Sequence, residues 1–379
     1  MEREKCTQQE VTADDTFYMR QALELAKLGC GYVAPNPMVG AVIVKDNKII
    51  GQGYHRKYGD LHAERNALAE CAESAIGATL YVTLEPCCHY GRTPPCTEAI
   101  IEHGIRKVVV GSADPNPLVA GKGVRILREH GIEVVEGVLK KECDLLNEVF
   151  FHYITTQTPY VVMKYAMTMD GKIATRTGES KWITGEAARE HVQKDRHRYT
   201  AIMAGIGTVL ADDPLFTCRL PNRKSPIRII CDTALRMPLH AKIVQTANEV
   251  QTILATCNTD KKDQEKYLER GCEVIVLPKQ KGHVNISILM KILGERHIDS
   301  ILLEGGANLN WSCLENGIVN KVQTYIAPKL FGGVEAKTPI GGAGITHPSD
   351  CYQLINKKIQ IIGDDILIES EVEKCLRES

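Results

Sequence analysis

Residues 80–96 read Leu80-Tyr81-Val82-Thr83-Leu84-Glu85-Pro86-Cys87-Cys88-His89-Tyr90-Gly91-Arg92-Thr93-Pro94-Pro95-Cys96. The run Leu80–Leu84 is apolar and rich in strand formers, so it predicts a strand. After Pro94-Pro95, the segment Cys96–His103 stops at Gly104, and proline at the start with glycine at the end predicts a helix. Upstream, His62-Ala63-Glu64 opens a segment, 62–73, rich in Ala, Leu and Glu that also reads as a helix. One imidazole and two thiolates are good zinc ligands, and three protein ligands leave a fourth position for water. Zinc brings the pKa of that water toward ~7 and so supplies a nucleophile at neutral pH. Cys96 stands at a helix start, where free N–H groups favour a thiolate.

Glu64 follows His62 by two residues, near enough to share the same water without binding the metal. A zinc-activated water beside a glutamate that carries protons is the arrangement of a nucleobase deaminase, in which an amine-bearing ring carbon is attacked. The usual second element is P-C-x-x-C. Here 96 − 87 = 9, so the residues between Cys87 and Cys96 must loop out. Cys88 and His89 are alternative ligands. Cys87 is favoured because Pro86 directly precedes it.

Working outward, helix patterns at 15–28, 62–73, 96–103 and 121–130 alternate with strand patterns at 40–45, 80–84 and 108–110. That alternation predicts an α/β layer structure. A second series begins at Tyr160. Its strands are expected at 160–166, 200–204, 226–231, 251–255, 273–277 and 299–303, and its helices at 186–198, 262–270, 286–295 and 307–315. The segment 139–157 starts helical and turns polar at Thr155-Thr156-Gln157-Thr158-Pro159, which puts the domain boundary at 1–157 and 158–379. A length of 379 residues suits two domains.

Hydrophobic residues make up 44% and charged residues 25%, which excludes collagen-like, coiled-coil and wholly disordered chains. The 46 basic and 47 acidic residues nearly cancel, so no basic excess points to nucleic acid. The N-terminus lacks an apolar stretch behind its basic residues and is not read as a signal peptide. No run approaches the roughly 20 apolar residues of a membrane helix. The 14 cysteines, spread from Cys6 to Cys375, fit a reducing cytoplasm in which most thiols are free and structural.

With these residues in view, the first half resembles the bifunctional deaminase–reductase family of riboflavin biosynthesis. His62-Ala63-Glu64 and Glu85–Cys96 carry the resemblance, together with Ala34-Pro35-Asn36-Pro37-Met38-Val39-Gly40 and Gly53-Tyr54-His55. It implies a cytidine-deaminase-like α/β/α domain with zinc on His62, Cys87 and Cys96 and with Glu64 as proton carrier. It also implies contacts from Asn36, His55, His89 and Arg92 to a phosphoribosylamino-pyrimidine. An asparagine can pair with a pyrimidine edge, and Arg92 or His55 suits the ribose phosphate.

The second half resembles the same family's reductase domain, with a dihydrofolate-reductase-like α/β fold. The matching segments are Met163–Ala174, which ends in an Asp170-Gly171 turn, Gly178–Thr184, Ile206–Pro214, Thr217-Cys218-Arg219 and Leu303–Leu309. A strand, Gly305-Gly306 and a helix make a phosphate cradle, although no full G-x-G-x-x-G is present. The resemblance implies NADPH held by Ala166, Trp182, Thr208, Asp212, Thr233 and the loop Gly306, Ala307, Asn308, Leu309, Asn310, Trp311 and Ser312. It implies substrate contacts from Ser180, Arg196, Phe216, Arg219 and Glu304, the two arginines suiting a phosphorylated substrate. It also implies a homo-oligomer, with neither nucleic acid nor a membrane as partner. Two other functions compete: a nucleic-acid base deaminase with an unrelated tail, and a binding module built on a closed, four-ligand structural zinc site.

Overall fold

The computed structural model describes residues 11–373. The chain divides into two compact units between Thr156 and Gln157. The first unit runs α1 (Ala13–Lys27), β1 (Gly40–Lys45), β2 (Lys48–Tyr54), α2 (Ala63–Ala69), β3 (Thr79–Leu84), α3 (Cys96–Glu102), β4 (Lys107–Ser112), α4 (Lys122–Glu129), β5 (Glu133–Glu136), α5 (Lys140–Leu146) and α6 (Glu148–Thr156). Its sheet has the order β2-β1-β3-β4-β5. β1 is antiparallel to β2 and β3, while β3, β4 and β5 are parallel.

Strand alternation builds two cores on this sheet. Ala41, Ile43, Leu80, Val82, Val108 and Val110 face Ala63 and Ala67 of α2, Ile100 of α3 and Leu127 of α4. The intervening Val42, Val44, Tyr81 and Val109 face Met19 and Ala22 of α1 and Cys143 of α5. The result is an α/β/α sandwich. Close approach of α2 requires glycine on β2, because a Cβ at Gly53 would lie 2.4 Å from the Ala67 backbone nitrogen. α1 is closed by a capping box in which the Thr12 hydroxyl and the Asp15 carboxylate each take the other's backbone N–H.

The second unit runs β6 (Tyr160–Thr168), α7 (Glu186–Arg198), β7 (Ala201–Gly205), α8 (Ile206–Asp212), β8 (Ile227–Cys231), α9 (Lys242–Gln245), β9 (Thr252–Thr256), α10 (Lys261–Leu268), β10 (Glu273–Val276), β11 (Lys279–Gln280), β12 (His283–Val284), α11 (Ile286–Glu295), β13 (Ser300–Leu303), α12 (Ala307–Glu315), β14 (Val319–Ala327), β15 (Leu354–Ile362) and β16 (Asp365–Val372). Nine strands form one sheet in the order β10-β9-β8-β7-β13-β6-β14-β16-β15, and β11–β12 is a separate small hairpin. The strands from β10 to β14 are parallel; β16 and β15 extend the sheet antiparallel. Ala201, Met203, Ile229 and Ile253 face α11 and α12. Ile202, Ala204, Ile230 and Leu254 face α8, α9 and α10. Arg228 on β8 is fully buried yet satisfied. It donates to the carbonyls of Leu215, Ile243, Thr246 and Val250 and to the hydroxyls of Thr246 and Thr252.

The sequence reading missed several elements. β2 contains two glycines, β5 has four residues, and β14 carries buried Lys321, Gln323 and Thr324. β15 turns its apolar Ile355, Ile359 and Ile361 outward, so its pattern does not mark a buried face. The Asp170-Gly171 turn is present, with the Gly171 N–H donating to the Thr168 carbonyl, but it leads to no partner strand for β6. The polar run after residue 154 begins inside α6. The Thr155 and Thr156 hydroxyls donate back to the carbonyls of Phe151 and His152, and Gln157 ends the helix at φ +56°.

Candidate active sites

In the first unit, His62 caps α2 and Cys96 opens α3, so two helix starts converge on the end of β3. Arg65 of α2 donates to the carbonyls of Pro94 and Pro95 and fixes the chain just before Cys96. The segment between the cysteines loops out as its spacing requires, and the Thr97 and Cys96 N–H groups return to the Cys87 carbonyl and sulfur.

His62, Cys87 and Cys96 offer ligand atoms all within 4.8 Å of one another. His62 Nδ1 lies 3.4 Å from Cys87 Sγ and 3.5 Å from Cys96 Sγ. Ideal Zn–N and Zn–S bonds at a tetrahedral angle put N and S about 3.6 Å apart, so the triad fits zinc. It is the one such cluster among the described residues, and it has three members. Cys88 stays outside it, with its thiol toward the Leu118 carbonyl, and His89 faces the adjacent cavity. The geometry therefore favours the open three-ligand site over the closed four-ligand one.

The electrostatics agree. Hydrogen bonds from the Cys96 thiol and from His62 lower the Cys87 pKa to about 4, while Cys96, beside that thiolate and buried, is pushed up. His62 is raised by its bond to Cys87. Glu64 is raised by burial and then by the charge of Cys87, which suits a carboxyl that carries a proton.

A cavity of roughly 290 Å³ opens beside the triad, lined by Asn36, His55, His62, Glu64, Cys87, His89 and Arg92. His55 is buried, and burial lowers its pKa. As a neutral ring it donates from Nδ1 to the Leu61 carbonyl at 3.1 Å and accepts at Nε2 from the Asn36 amide at 3.3 Å. The buried ring thereby orients the Asn36 amide. The exposed Arg92 guanidinium lies 4.5 Å from the centre of the Tyr58 ring.

The cavity also takes Asp114, Asn116, Phe150, Tyr153 and Ile154, which the sequence reading missed. Asp114 and Asn116 follow β4 at its carboxyl end, where ligands of parallel sheets bind, and that position was the available signal. Burial raises Asp114 to about 6. The buried Glu85 carboxylate holds their loop through the N–H groups of Asp114, Gly121 and Val124.

The second unit has a cavity of roughly 480 Å³ at the carboxyl ends of β7 and β8 and at the start of α12. Ser180, Thr208, Asp212, Thr233, Gly306, Ala307, Asn308, Leu309 and Ser312 all line it. The Ser180 hydroxyl donates to Asp212 at 3.0 Å. The expected loop after Gly306 is helical, since Gly306 caps α12 and only that glycine lies outside it. A Cβ on Gly306 would sit 3.3 Å from the Thr208 hydroxyl, in space a phosphate group can use. Asp212 is the single carboxylate of the lining, so the donor-rich, glycine-lined cradle fits an anionic dinucleotide.

Other expected residues lie elsewhere. Asn310 is buried and donates to the Pro339 carbonyl, Trp311 packs edge-on against Tyr352, and Ala166 packs with Tyr325 and Leu367. Trp182 is 60% exposed beneath the Arg189 guanidinium and does not line the cavity. Arg196 and Glu304 form a part-buried bidentate pair at 2.8 and 3.0 Å, with Phe216 beneath the guanidinium and Lys164 at 3.9 Å. Burial would raise Glu304, but Arg196 and Lys164 hold it at about 2. Arg196 also donates to the Thr217 carbonyl. Arg219, the second arginine expected to meet the phosphorylated substrate, is exposed. Lys164 was missed; a lysine inside the apolar strand β6 was its signal.

Comparison with known proteins now bears on both units. A family model for the RibD C-terminal domain matches residues 159–368, and one for the cytidine and deoxycytidylate deaminase zinc-binding region matches residues 12–112. A riboflavin biosynthesis protein RibD of Actinobacillus pleuropneumoniae is 57% identical over 358 residues, covering 94% of this chain and 95% of that one. The Escherichia coli RibD protein is 40% identical, covering 93% and 98%. Among solved structures, an Acinetobacter baumannii RibD matches with TM-score 0.85 and 38% identity, covering 95% of this chain and 99% of its own. A Thermotoga maritima structure described as a diaminohydroxyphosphoribosylaminopyrimidine deaminase/5-amino-6-(5-phosphoribosylamino)uracil reductase matches with TM-score 0.84 and 37% identity, at the same coverage.

Proposed function

Because the chain belongs to the RibD family of riboflavin-biosynthesis proteins, we propose that its two cavities carry out the family's two reactions in turn and divide the work among the residues described above. The first unit deaminates 2,5-diamino-6-(5-phosphoribosylamino)pyrimidin-4-one: water adds at the amine-bearing ring carbon, a carbonyl forms and ammonia leaves. The second unit reduces the ribosyl group of that product to ribityl. Both substrates are small phosphorylated pyrimidines.

Zinc on His62, Cys87 and Cys96 supplies an acidified water when bound. The Glu64 carboxyl, buried beside the triad, holds the proton that the departing amine needs. Asn36, fixed by His55, presents its remaining amide positions to the pyrimidine edge, and His89 lines the same cavity. Arg92 meets the phosphate at the mouth.

In the second unit NADPH supplies the hydride. Gly306, Ala307, Asn308, Leu309 and Ser312 cradle the cofactor's phosphates with Thr208, while Asp212, Ser180 and Thr233 fix its sugars by hydrogen bonds. Glu304 holds Arg196 and Lys164 as a charged group beside the ribosyl chain, and Arg219 takes the phosphate. Asp212 is the carboxylate there with chemistry suited to moving a proton, since Arg196 and Lys164 keep Glu304 ionised.

The observation that carries the first reaction is the three-ligand cluster with buried Glu64 beside it. Glu64→Gln should keep one bound zinc by elemental analysis and lose about 10²–10⁴-fold in ammonia release. Full activity with zinc in place would refute the proton-carrying role. No described helix is long and apolar enough to cross a membrane, and the chain is proposed to work in the cytoplasm. The outward Ile355, Ile359 and Ile361 on the edge strand β15 support self-association into a homo-oligomer.

A further inference from the structure

We propose that Arg236, together with the Thr233 hydroxyl, holds the phosphate ester on the adenosine 2′ position and so sets the preference for NADPH over NADH. This rests on the reading of the second cavity as the cofactor site. That cavity crosses the carboxyl ends of three neighbouring strands: Gly306–Leu309 follow β13, Gly205–Asp212 follow β7, and Thr233 and Arg236 follow β8. Neighbouring strands are about 4.8 Å apart, so the β8 end lies roughly 10 Å across the sheet from β13. The Arg196–Glu304–Lys164 group stands on the other side, on α7, β6 and the end of β13. A dinucleotide with its diphosphate at the first turn of α12 and its reactive ring toward β6 must place its adenosine over β8.

The basic residues of the lining are Arg236, Lys337 and His283. Lys337 is on the opposite wall, where its carbonyl accepts the Ile173 N–H beyond the end of β6. Arg236 is therefore the permanently charged group at the β8 end. Its exposed guanidinium enters no hydrogen bond or ion pair among the described residues, and the Thr233 hydroxyl donates to none of them. Guanidinium and hydroxyl stand three residues apart, a suitable donor set for a phosphate monoester.

Their loop is fixed before any ligand arrives. The buried Asp232 carboxylate accepts the Met237 N–H at 2.8 Å, and the Leu235 N–H donates to the Asp232 carbonyl. The Tyr267 hydroxyl donates to the Leu235 and Met237 carbonyls, and the Cys257 N–H donates to the Thr233 carbonyl. Binding there needs little ordering of backbone.

The test is calorimetric titration of the zinc-loaded full chain with NADPH, NADH, 2′,5′-ADP and 5′-AMP. Arg236→Ala should weaken NADPH and 2′,5′-ADP by roughly ten- to hundredfold and leave NADH and 5′-AMP unchanged. Arg236→Lys should recover part of the loss, and Lys337→Ala should leave the NADPH-to-NADH ratio as it was. Equal weakening of NADPH and NADH would assign Arg236 to the diphosphate and overturn the proposal, as would an unchanged ratio or a collapse of the ratio in Lys337→Ala. If the unmodified protein bound neither dinucleotide, the cofactor reading of the cavity would itself be wrong, an outcome that the variants cannot mimic.

Discussion

Glu304 shows how one carboxylate can gather two cations in the fold. It pairs with two part-buried cations, Arg196 and Lys164, and they hold its pKa at about 2 against the pull of burial. Its folded pKa lies below the ordinary carboxylate value of roughly 4.3. The stability it contributes is therefore fully present above that value and is lost as pH falls from there toward 2. The shift corresponds to about 3 kcal/mol at neutral pH. Glu304→Gln should lower the unfolding free energy by about 3 kcal/mol at pH 7, because it leaves two part-buried cations without their carboxylate. It should also flatten the pH dependence between about 4.5 and 2. Urea unfolding at several pH values checks both, and a parallel fall in variant and unmodified protein would assign the acid sensitivity elsewhere.

At this scale the sequence announced residue types better than partnerships. His62, Cys87 and Cys96 were legible because metal ligands need few residue types at tight spacings. Arg196 and Glu304 were each legible as candidates, but their bidentate pairing spans 108 positions along the chain and appears only when α7 meets the end of β13. Trp182 shows the same. Its flat ring was legible as a candidate face, but its place beneath the Arg189 guanidinium was not.

At the scale of elements, α2 is the part on which the deaminase site turns. It carries His62 at its cap, Glu64 in its first turn and Arg65, which grips the chain before Cys96. Its seat against β2 depends on Gly53. Gly53→Ala would push a methyl group against the Ala67 backbone and the Ala63 carbonyl, at 2.4 and 2.7 Å. The expected result is a loss of about 1–3 kcal/mol in stability, together with weaker zinc retention in a chelator competition. Unchanged retention would mean that α2 moves without carrying the ligand. The period-2 and period-3.6 patterns marked the buried strands and the helices well. They failed where a strand is an edge with apolar residues outward, as in β15, or where polar side chains are buried against a neighbouring polar cluster, as in β14.

For the whole molecule, the two cavities lie in separate compact units, each with its own apolar cores. Zinc removal should therefore abolish ammonia release and leave NADPH oxidation with the already deaminated substrate within about twofold. An equal loss of both activities in a chelated sample would show that the units depend on each other. The 12 cysteines described are all free, which agrees with their reading as thiols; Cys6 and Cys375 lie outside the described residues.

Arg228 has a consequence for motion. By tying the Leu215 carbonyl to those of Ile243, Thr246 and Val250, it fastens these segments to the start of β8, at the end of the sheet away from the cavity. The segment 332–344 is rich in glycine and is hung at its start from Asp170, which accepts the N–H groups of Phe331 and Gly332. Breathing that lets a large cofactor in and out should then be one-sided. In hydrogen exchange the amides at 243–250 should open together and slowly, while those at 332–344 exchange faster and slow down when NADPH is added.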